Sequence, residues 1–220
     1  MSLFRLDASI RGEFSVSRSV ADTAEAAWRR SHPSATITRR DLAASPISPE
    51  VWPLAAMAGF LPEEQRTEDQ RRAGAFAVQL VDELIAADAY LLALPLYNWG
   101  VSQHVKAWID MLLTDPRMQT QDEKVLAGRP AALIITRGGG YGPGTPKFGW
   151  DHATPYYRRI FGDQLGLDLH VSEVELTLAE LQPAMAPLRD LARQSLEAGH
   201  SSAESHGELL AKRVLAKAAA

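Results

Sequence analysis

Short apolar runs alternate with longer amphipathic stretches along the chain, which predicts strand–helix units around a parallel sheet. The third apolar run is continuous, as expected of a central strand that helices cover on both faces. The second run alternates apolar and charged residues, which favours an edge position. The five predicted strands are Leu3–Ala8, Thr36–Asp41, Ala89–Pro95, Ala131–Thr136 and Leu167–Leu176.

Helical periodicity fills the intervals between these strands. Apolar residues recur at helical spacing after Ser17, so Ser17 is the expected N-cap of the first helix. The stretch 42–62 is rich in proline, which predicts a long surface excursion with a helical turn near Trp52 to Phe60. Further helices are expected over 63–87, 101–113, 154–165 and 185–217, the last interrupted near Gly199.

Length and composition indicate one domain over residues 1–220. A chain of 220 residues with 46% hydrophobic residues can bury a full core. The 23 basic and 27 acidic residues leave a net charge of -4 without a run of like charge, which argues against nucleic acid or a membrane surface as partner. The chain lacks cysteine, which excludes disulfides and thiolate chemistry. With no signal peptide or membrane span in view, we expect a cytoplasmic protein.

Ligands of open parallel sheets bind at the carboxyl ends of the strands, where three loops stand out. The first, SIRGEFSVS from Ser9 to Ser17, brings hydroxyl groups to a helix N-terminus, which suits an anion such as phosphate. Alternatively, Ser17 only caps the helix. Because neither G-x-G-x-x-G nor G-x-x-x-x-G-K-[ST] is present, a monophosphate suits this loop better than a dinucleotide or a nucleoside triphosphate.

The second loop follows the third strand and places Tyr97 and Trp99 on either side of Asn98. These side chains can form a platform and edge for a planar ring, or they can cap the hydrophobic core. The third loop, TRGGGYGPGT, holds five glycines within residues 138–144. Glycine lets the backbone approach a ligand closely, although the same composition also suits a mobile turn.

These three loops together resemble those of the FMN-dependent NADH-azoreductase and quinone reductase family. The matching segments are Ser9 with Ser15-Val16-Ser17, Pro95-Leu96-Tyr97-Asn98-Trp99 and Thr136-Arg137-Gly138-Gly139. RDLAASPI after the second strand and TPYYRRIFGDQLGL before the fifth support the match, which covers about the first 180 residues. The resemblance implies an α/β flavodoxin-like three-layer sandwich with a five-stranded parallel sheet of order 2-1-3-4-5.

The resemblance also implies a function and assigns site residues. It implies a homodimer that binds FMN and uses NADH or NADPH to reduce quinones or azo compounds by two-electron, ping-pong hydride transfer. By analogy, Ser9 and Ser15 to Ser17 bind the phosphate, Pro95 and Leu96 to Trp99 line the isoalloxazine ring, and Thr136, Arg137, Gly138 and Gly139 meet its pyrimidine edge. The homodimer is expected to form around helix 101–113, whose apolar residues exceed what one sheet face absorbs.

Catalysis in such an enzyme is centred on the flavin, so side chains are expected to bind and orient. Tyr97, Tyr141 and Arg137 are candidates for orienting the acceptor, although a surface salt bridge is the more typical role of an arginine such as Arg137. His104, His152 and His170 are more typical of structural histidines. Two other readings stay open, a non-catalytic electron carrier of flavodoxin type and a flavin-free interaction module.

The chain departs from the family pattern in places. Val16 replaces a polar residue, Thr136 stands where serine is common, and residues 140–144 lengthen the loop beside the ring. The acceptor pocket is therefore expected to differ from that of other members.

Overall fold

A central parallel sheet organises the computed structural model, which describes residues 1–120 and 123–218. The strands are β1 (Ser2–Asp7), β2 (Thr36–Asp41), β3 (Ala89–Tyr97), β4 (Gly100–Val101), β5 (Pro130–Thr136) and β6 (Asp168–Val174). The helices are α1 (Val16–Ser31), α2 (Val51–Ala58), α3 (Glu68–Ile85), α4 (Gln103–Leu112), α5 (Thr154–Tyr157) and α6 (Arg189–Ala218). A π-helix, Arg158–Gln164, continues α5.

The parallel strands lie in the order β2-β1-β3-β5-β6, which confirms the flavodoxin-like order that the family resemblance implies. β3 is central and pairs with β1 and β5, while the half-exposed β2 forms one edge. The short strand β4 runs antiparallel to the end of β3 and was not predicted. The carboxyl ends of β1, β3 and β5 therefore lie side by side.

Side chains alternate across the sheet and divide the core into two layers. Leu91 and Ala93 of β3 pack with α1 and α6 on one face, while Tyr90, Leu92 and Leu94 point to the other face. That second face is covered by α2 to α5. Within the described ranges, no helix combines the length and the apolar character needed to cross a bilayer.

The C-terminal helix differs from its prediction in one respect. It begins at Arg189, after a 3-10 turn over Pro183–Leu188, and continues through Gly199 without a break. A Cβ at Gly199 would stand 2.3 Å from Val174 Cγ2, and one at Gly207 would stand 2.2 Å from the Ala24 carbonyl oxygen. Both glycines therefore allow α6 to approach β6 and α1 closely, and Gly199 does not interrupt the helix.

Candidate functional site

A cavity of about 900 Å³ opens where the loops after β3 and β5 meet. Its wall consists of residues 96–104, the loop residues Gly138, Gly139 and Tyr141, and single residues from elsewhere, namely Ile10, Lys106, Lys147 and Leu178. Four of the predicted ring-binding residues, Leu96 to Trp99, thus share one cavity with Gly138 and Gly139. Pro95 and Thr136 do not line it, but they are direct neighbours across the β3–β5 pairing.

A tight hairpin shapes the aromatic side of this cavity. Tyr97 pairs with Gly100 and Leu96 with Val101, which leaves Asn98 and Trp99 as a two-residue turn. Both turn residues have positive φ, 47° and 65°, as a type I′ hairpin requires. This conformation is strained for tryptophan, and such strain is concentrated at functional sites. Trp99 is 44% exposed, which contradicts a role in capping the core.

The hairpin is supported from the loop that follows β5. The Trp99 carbonyl oxygen accepts a hydrogen bond from the His152 backbone N–H at 2.9 Å. The Trp99 ring meets Trp150 edge to face, with 5.6 Å between the ring centroids. The turn is thus held on both its backbone and its side chain, so the strained conformation is maintained by tertiary contacts.

Tyr97 connects the hairpin with the loop after β1. Its hydroxyl oxygen accepts a hydrogen bond from the Ile10 backbone N–H at 3.1 Å and lies 3.5 Å from Ser9 Oγ. His104 adds a second connection, because its Nε2 donates to the Ala8 carbonyl oxygen at 2.6 Å. These contacts hold the ends of β1 and β3 together beneath the cavity.

Ser15, rather than Ser17, is the N-cap of α1. Ser15 Oγ accepts from the Arg18 backbone N–H at 3.2 Å, and Ser17 lies in the first helical turn with its hydroxyl 3.1 Å from that of Ser15. The cap lies two residues earlier than predicted because the 3-10 turn Gly12–Phe14 ends the loop at Ser15. Val16 contributes its backbone at the first helical position, where N–H groups have no partner within the helix.

Ser15 and Ser17 are almost fully buried, with exposures of 3% and 1%. Ser9 instead lines a neighbouring cavity of about 410 Å³, together with Arg18 and Asp41. Ile10 belongs to the walls of both cavities. Neither Ser15 nor Ser17 lines either cavity, so the binding of a phosphate by their hydroxyl groups stays a prediction.

Charged side chains of β1 and α1 form ion pairs beside the loop that joins these two elements. Arg5 on β1 contacts Asp7, Asp22 and Glu25 at 2.6–3.0 Å. Burial works against its charge, but these three carboxylates outweigh it and raise the pKa of Arg5. Arg18 forms a further ion pair with Asp41 at 2.7 Å. Ion pairs therefore compensate the charged side chains at the end of β1 and the start of α1.

Arg137 does not line the cavity, and its side chain is 7% exposed. Its Nε donates to Asp151 at 2.8 Å, and its remaining nitrogens bond Glu173, Glu175 and Thr154. Burial works against the charge of Arg137, but Glu173 and Asp151 outweigh it and raise the pKa. The salt bridge that the sequence allows for Arg137 is present, although it is buried rather than on the surface, and a role of this guanidinium in orienting an acceptor stays a prediction.

The Arg137 cluster braces the glycine-rich loop. Burial opposes the charge of Asp151, yet its bonds with Thr154 and Arg137 lower its pKa. Glu175 accepts from the Tyr141 backbone N–H at 3.0 Å, so the loop is tied at Tyr141. Tyr141 lines the cavity, as expected of an orienting residue, and burial together with Asp151 raises its pKa.

The sequence did not indicate every residue of the cavity wall. Ile10, Lys147 and Leu178 were missed, and Leu178 belongs to a loop after β6 that carried no compositional signal. The structural role predicted for His104 agrees with its bond to Ala8, although His104 also lines the cavity. His170 lies outside the cavity, 3.3 Å from Asp168.

Comparison with known proteins places the chain in a family. A family model described as a flavodoxin-like fold matches residues 1–186. An FMN-dependent NADH:quinone oxidoreductase from Frankia alni is 41% identical over 203 residues, covering 91% of this chain and 96% of the relative. One of the same name from Frankia casuarinae is 40% identical over 195 residues, covering 88% and 92%.

A solved structure extends the likeness to the fold. The azoreductase from Bacillus anthracis superposes with a TM-score of 0.76, covering 94% of this chain and 99% of that protein at 20% sequence identity. The chain therefore belongs to the flavodoxin-like family, in the group of the FMN-dependent NADH:quinone oxidoreductases.

Proposed function

We propose that this protein is an FMN-dependent oxidoreductase that uses NADH or NADPH to reduce quinones, and azo compounds as a second class of acceptor. The single observation that carries the proposal is the cavity at the ends of β3 and β5, with the Tyr97–Gly100 hairpin on one side and Gly138 and Gly139 on the other. Its volume lies within the range of small-molecule sites. The name of the 41% identical relative supports the cofactor, the reductant and the acceptor.

The described residues fit FMN. The hairpin offers the exposed ring of Trp99, and Gly138 and Gly139 line the cavity with backbone groups that carry no side chain of their own. The start of α1 offers unpaired N–H groups and the positive end of a helix dipole for the phosphate, beside Ser9, Ser15 and Ser17. When bound, FMN supplies the two-electron chemistry, and the protein supplies binding and orientation.

In this proposal, the residues around the cavity position both substrates at one place. Trp99, Tyr141 and the backbone of residues 138–139 enclose a space that the nicotinamide and the acceptor enter in turn, which predicts ping-pong kinetics. The Tyr97 hydroxyl group contributes indirectly, because it holds the Ile10 backbone against the hairpin. No titratable side chain is required to carry the hydride step.

We also propose a cytoplasmic homodimer, but the argument from residues 101–113 is wrong. Trp108, Met111 and Leu112 are buried within the chain itself, so α4 leaves no surplus apolar face. Support comes instead from α2 and its end, where the large side chains of Trp52, Met57 and Phe60 are exposed. A monomeric mass in solution at micromolar concentration would contradict this assembly.

The test of the proposed activity is the visible spectrum of the purified protein. With FMN added, the flavin absorption band should bleach on addition of NADH or NADPH under anaerobic conditions and return on addition of a quinone. Bound flavin that stays oxidised in excess NADH and NADPH would instead favour a non-catalytic carrier. Protein that does not bind FMN would favour the interaction module.

A further inference from the structure

The charge of the cavity wall differs from that of the whole protein. The chain carries a net charge of -4, yet the residues around the cavity include Lys106, Lys147 and His104 and no aspartate or glutamate. A wall with this charge attracts anions and disfavours cationic ligands.

The two lysines differ in their partners. Lys106 is engaged, because its Nζ lies 2.5 and 2.7 Å from the two carboxylate oxygens of Asp110. Among the described residues, no carboxylate lies within ion-pair distance of Lys147. The Lys147 Nζ lies instead 5.8 Å from the centroid of the Tyr141 ring. Of the two lysines in the cavity wall, Lys147 is thus the one whose charge is available to pair with an anionic ligand.

The fold holds Lys147 at this position. Arg137 and Glu175 fix the base of its loop, through Asp151 and the Tyr141 backbone respectively. The carboxylates bound to Arg137 do not line the cavity. A Cβ added to Gly139 would lie 3.8 Å from the Lys147 Nζ. Lys147 therefore lies close to the backbone segment that is predicted to meet the flavin ring.

We propose that Lys147 binds an anionic substituent of the electron acceptor, so that the enzyme favours aromatic quinones or azo compounds carrying a sulfonate or carboxylate group. This inference rests on the proposed function of the same cavity. Trp99 and Tyr141 supply aromatic surface for the ring system, and Lys147 lies beside Tyr141 to receive the charge. The glycine-rich loop, which lengthens the family pattern, therefore determines acceptor specificity.

The test compares two acceptors of nearly equal shape, 1,4-naphthoquinone-2-sulfonate and the neutral 2-sulfonamide. Lys147→Met should lower kcat/KM for the sulfonate by about 5- to 10-fold, as expected for a partly exposed charged contact, and leave the sulfonamide within twofold. In a ping-pong scheme this constant reports only the acceptor half-reaction. The difference in reduction potential between the acceptors cancels when the sulfonate-to-sulfonamide ratio of the variant is divided by that of the unchanged protein.

The matched control is Lys212→Met, which removes the same charge from the exposed face of α6. Both acceptors should react with this variant as with the unchanged protein. If Lys147→Met lowers kcat/KM for NADH and affects both acceptors equally, the lysine binds the co-substrate's phosphates and the proposal is overturned.

A binding measurement separates this proposal from the proposed function. Quenching of tryptophan fluorescence gives the dissociation constants of naphthalene-2-sulfonate and naphthalene-2-sulfonamide for the FMN-loaded protein. The sulfonate should bind more tightly to the unchanged protein and lose that preference in Lys147→Met. Equal affinities in the unchanged protein would overturn the inference. A protein that shows the preference but does not oxidise NADH would overturn only the proposed function.

Discussion

The Tyr97 hydroxyl oxygen lies 3.1 Å from the backbone nitrogen of Ile10 and joins the loop after β1 to the hairpin after β3. The proposed phosphate segment and the proposed ring segment therefore do not move independently. Tyr97 is at once a wall residue of the cavity and a tether between two loops.

Removing this tether should weaken FMN binding. Tyr97→Phe keeps the ring and loses a hydrogen bond worth about 1 kcal/mol, so the dissociation constant for FMN should rise about fivefold in a fluorescence titration. The matched control is Tyr90→Phe, because Tyr90 lies at the other end of β3 and its hydroxyl donates to Leu84. That variant should lose stability with unchanged FMN affinity. Equal FMN affinities in all three proteins would refute the tether.

Substitutions of the two serines at the start of α1 should distinguish an effect on phosphate binding from an effect on the stability of the fold. A hydrogen bond to a charged group contributes about 1.5–3 kcal/mol, so Ser17→Ala should weaken FMN binding by roughly 10- to 150-fold. Ser15→Ala should in addition lower the free energy of unfolding by about 1 kcal/mol, because Ser15 is the N-cap. Riboflavin, which lacks the phosphate, should bind all three proteins alike. Unchanged FMN affinity in both variants would place the phosphate elsewhere.

The strain at Trp99 predicts an order of stabilities. A Cβ in the left-handed region costs about 1–2 kcal/mol, and glycine avoids this cost. Trp99→Gly should therefore have a free energy of unfolding about 1 kcal/mol above that of Trp99→Ala in urea denaturation. Both variants lack the indole ring and should bind FMN equally weakly. An alanine variant as stable as the glycine variant would show that the turn relaxes.

The contact between β6 and α6 predicts a dependence of stability on pH. His206 lies 5.6 Å from His170, centroid to centroid, and its Nδ1 lies 2.9 Å from Ser172 Oγ. Burial first, and His170 second, lower the pKa of His206 below 6.5. Charged groups nearby are Asp168, which pairs with His170, and Arg213, which pairs with Asp168.

The sign follows from the lowered pKa. The unfolded chain takes up a proton at His206 more readily than the folded protein, so stability is fully present above pH 6.5 and falls as the pH drops toward the folded pKa. Urea denaturation between pH 7.5 and 5.5 should show this loss, and His206→Gln should reduce it. His200→Gln is the control on the same helix, since His200 contacts Thr23 on α1. A pH dependence that persists unchanged in His206→Gln would contradict the assignment.

Local pattern was sufficient where a property depends on neighbours in sequence. The apolar runs located the five long strands within one or two residues, and β2 over Thr36–Asp41 was predicted without error. The positions of the loops at the strand ends also followed, because strand direction and order set which loops meet. The sequence alone therefore brought Leu96 to Trp99 and Gly138 to Gly139 to one edge of the sheet.

Tertiary structure decided everything that depends on a distant partner. Arg137 is followed by a glycine run, and nothing local shows that Asp151, Glu173 and Glu175 converge on its guanidinium. Gly199 suggests a helix break in the sequence, but in the fold it allows α6 to pack closely against Val174. From the sequence, the apolar residues of α4 exceed what one sheet face absorbs, but in the fold they pack on the second face of the sheet. Local periodicity specifies which residues form an element, whereas burial and ion pairing depend on residues that only the folded chain brings together.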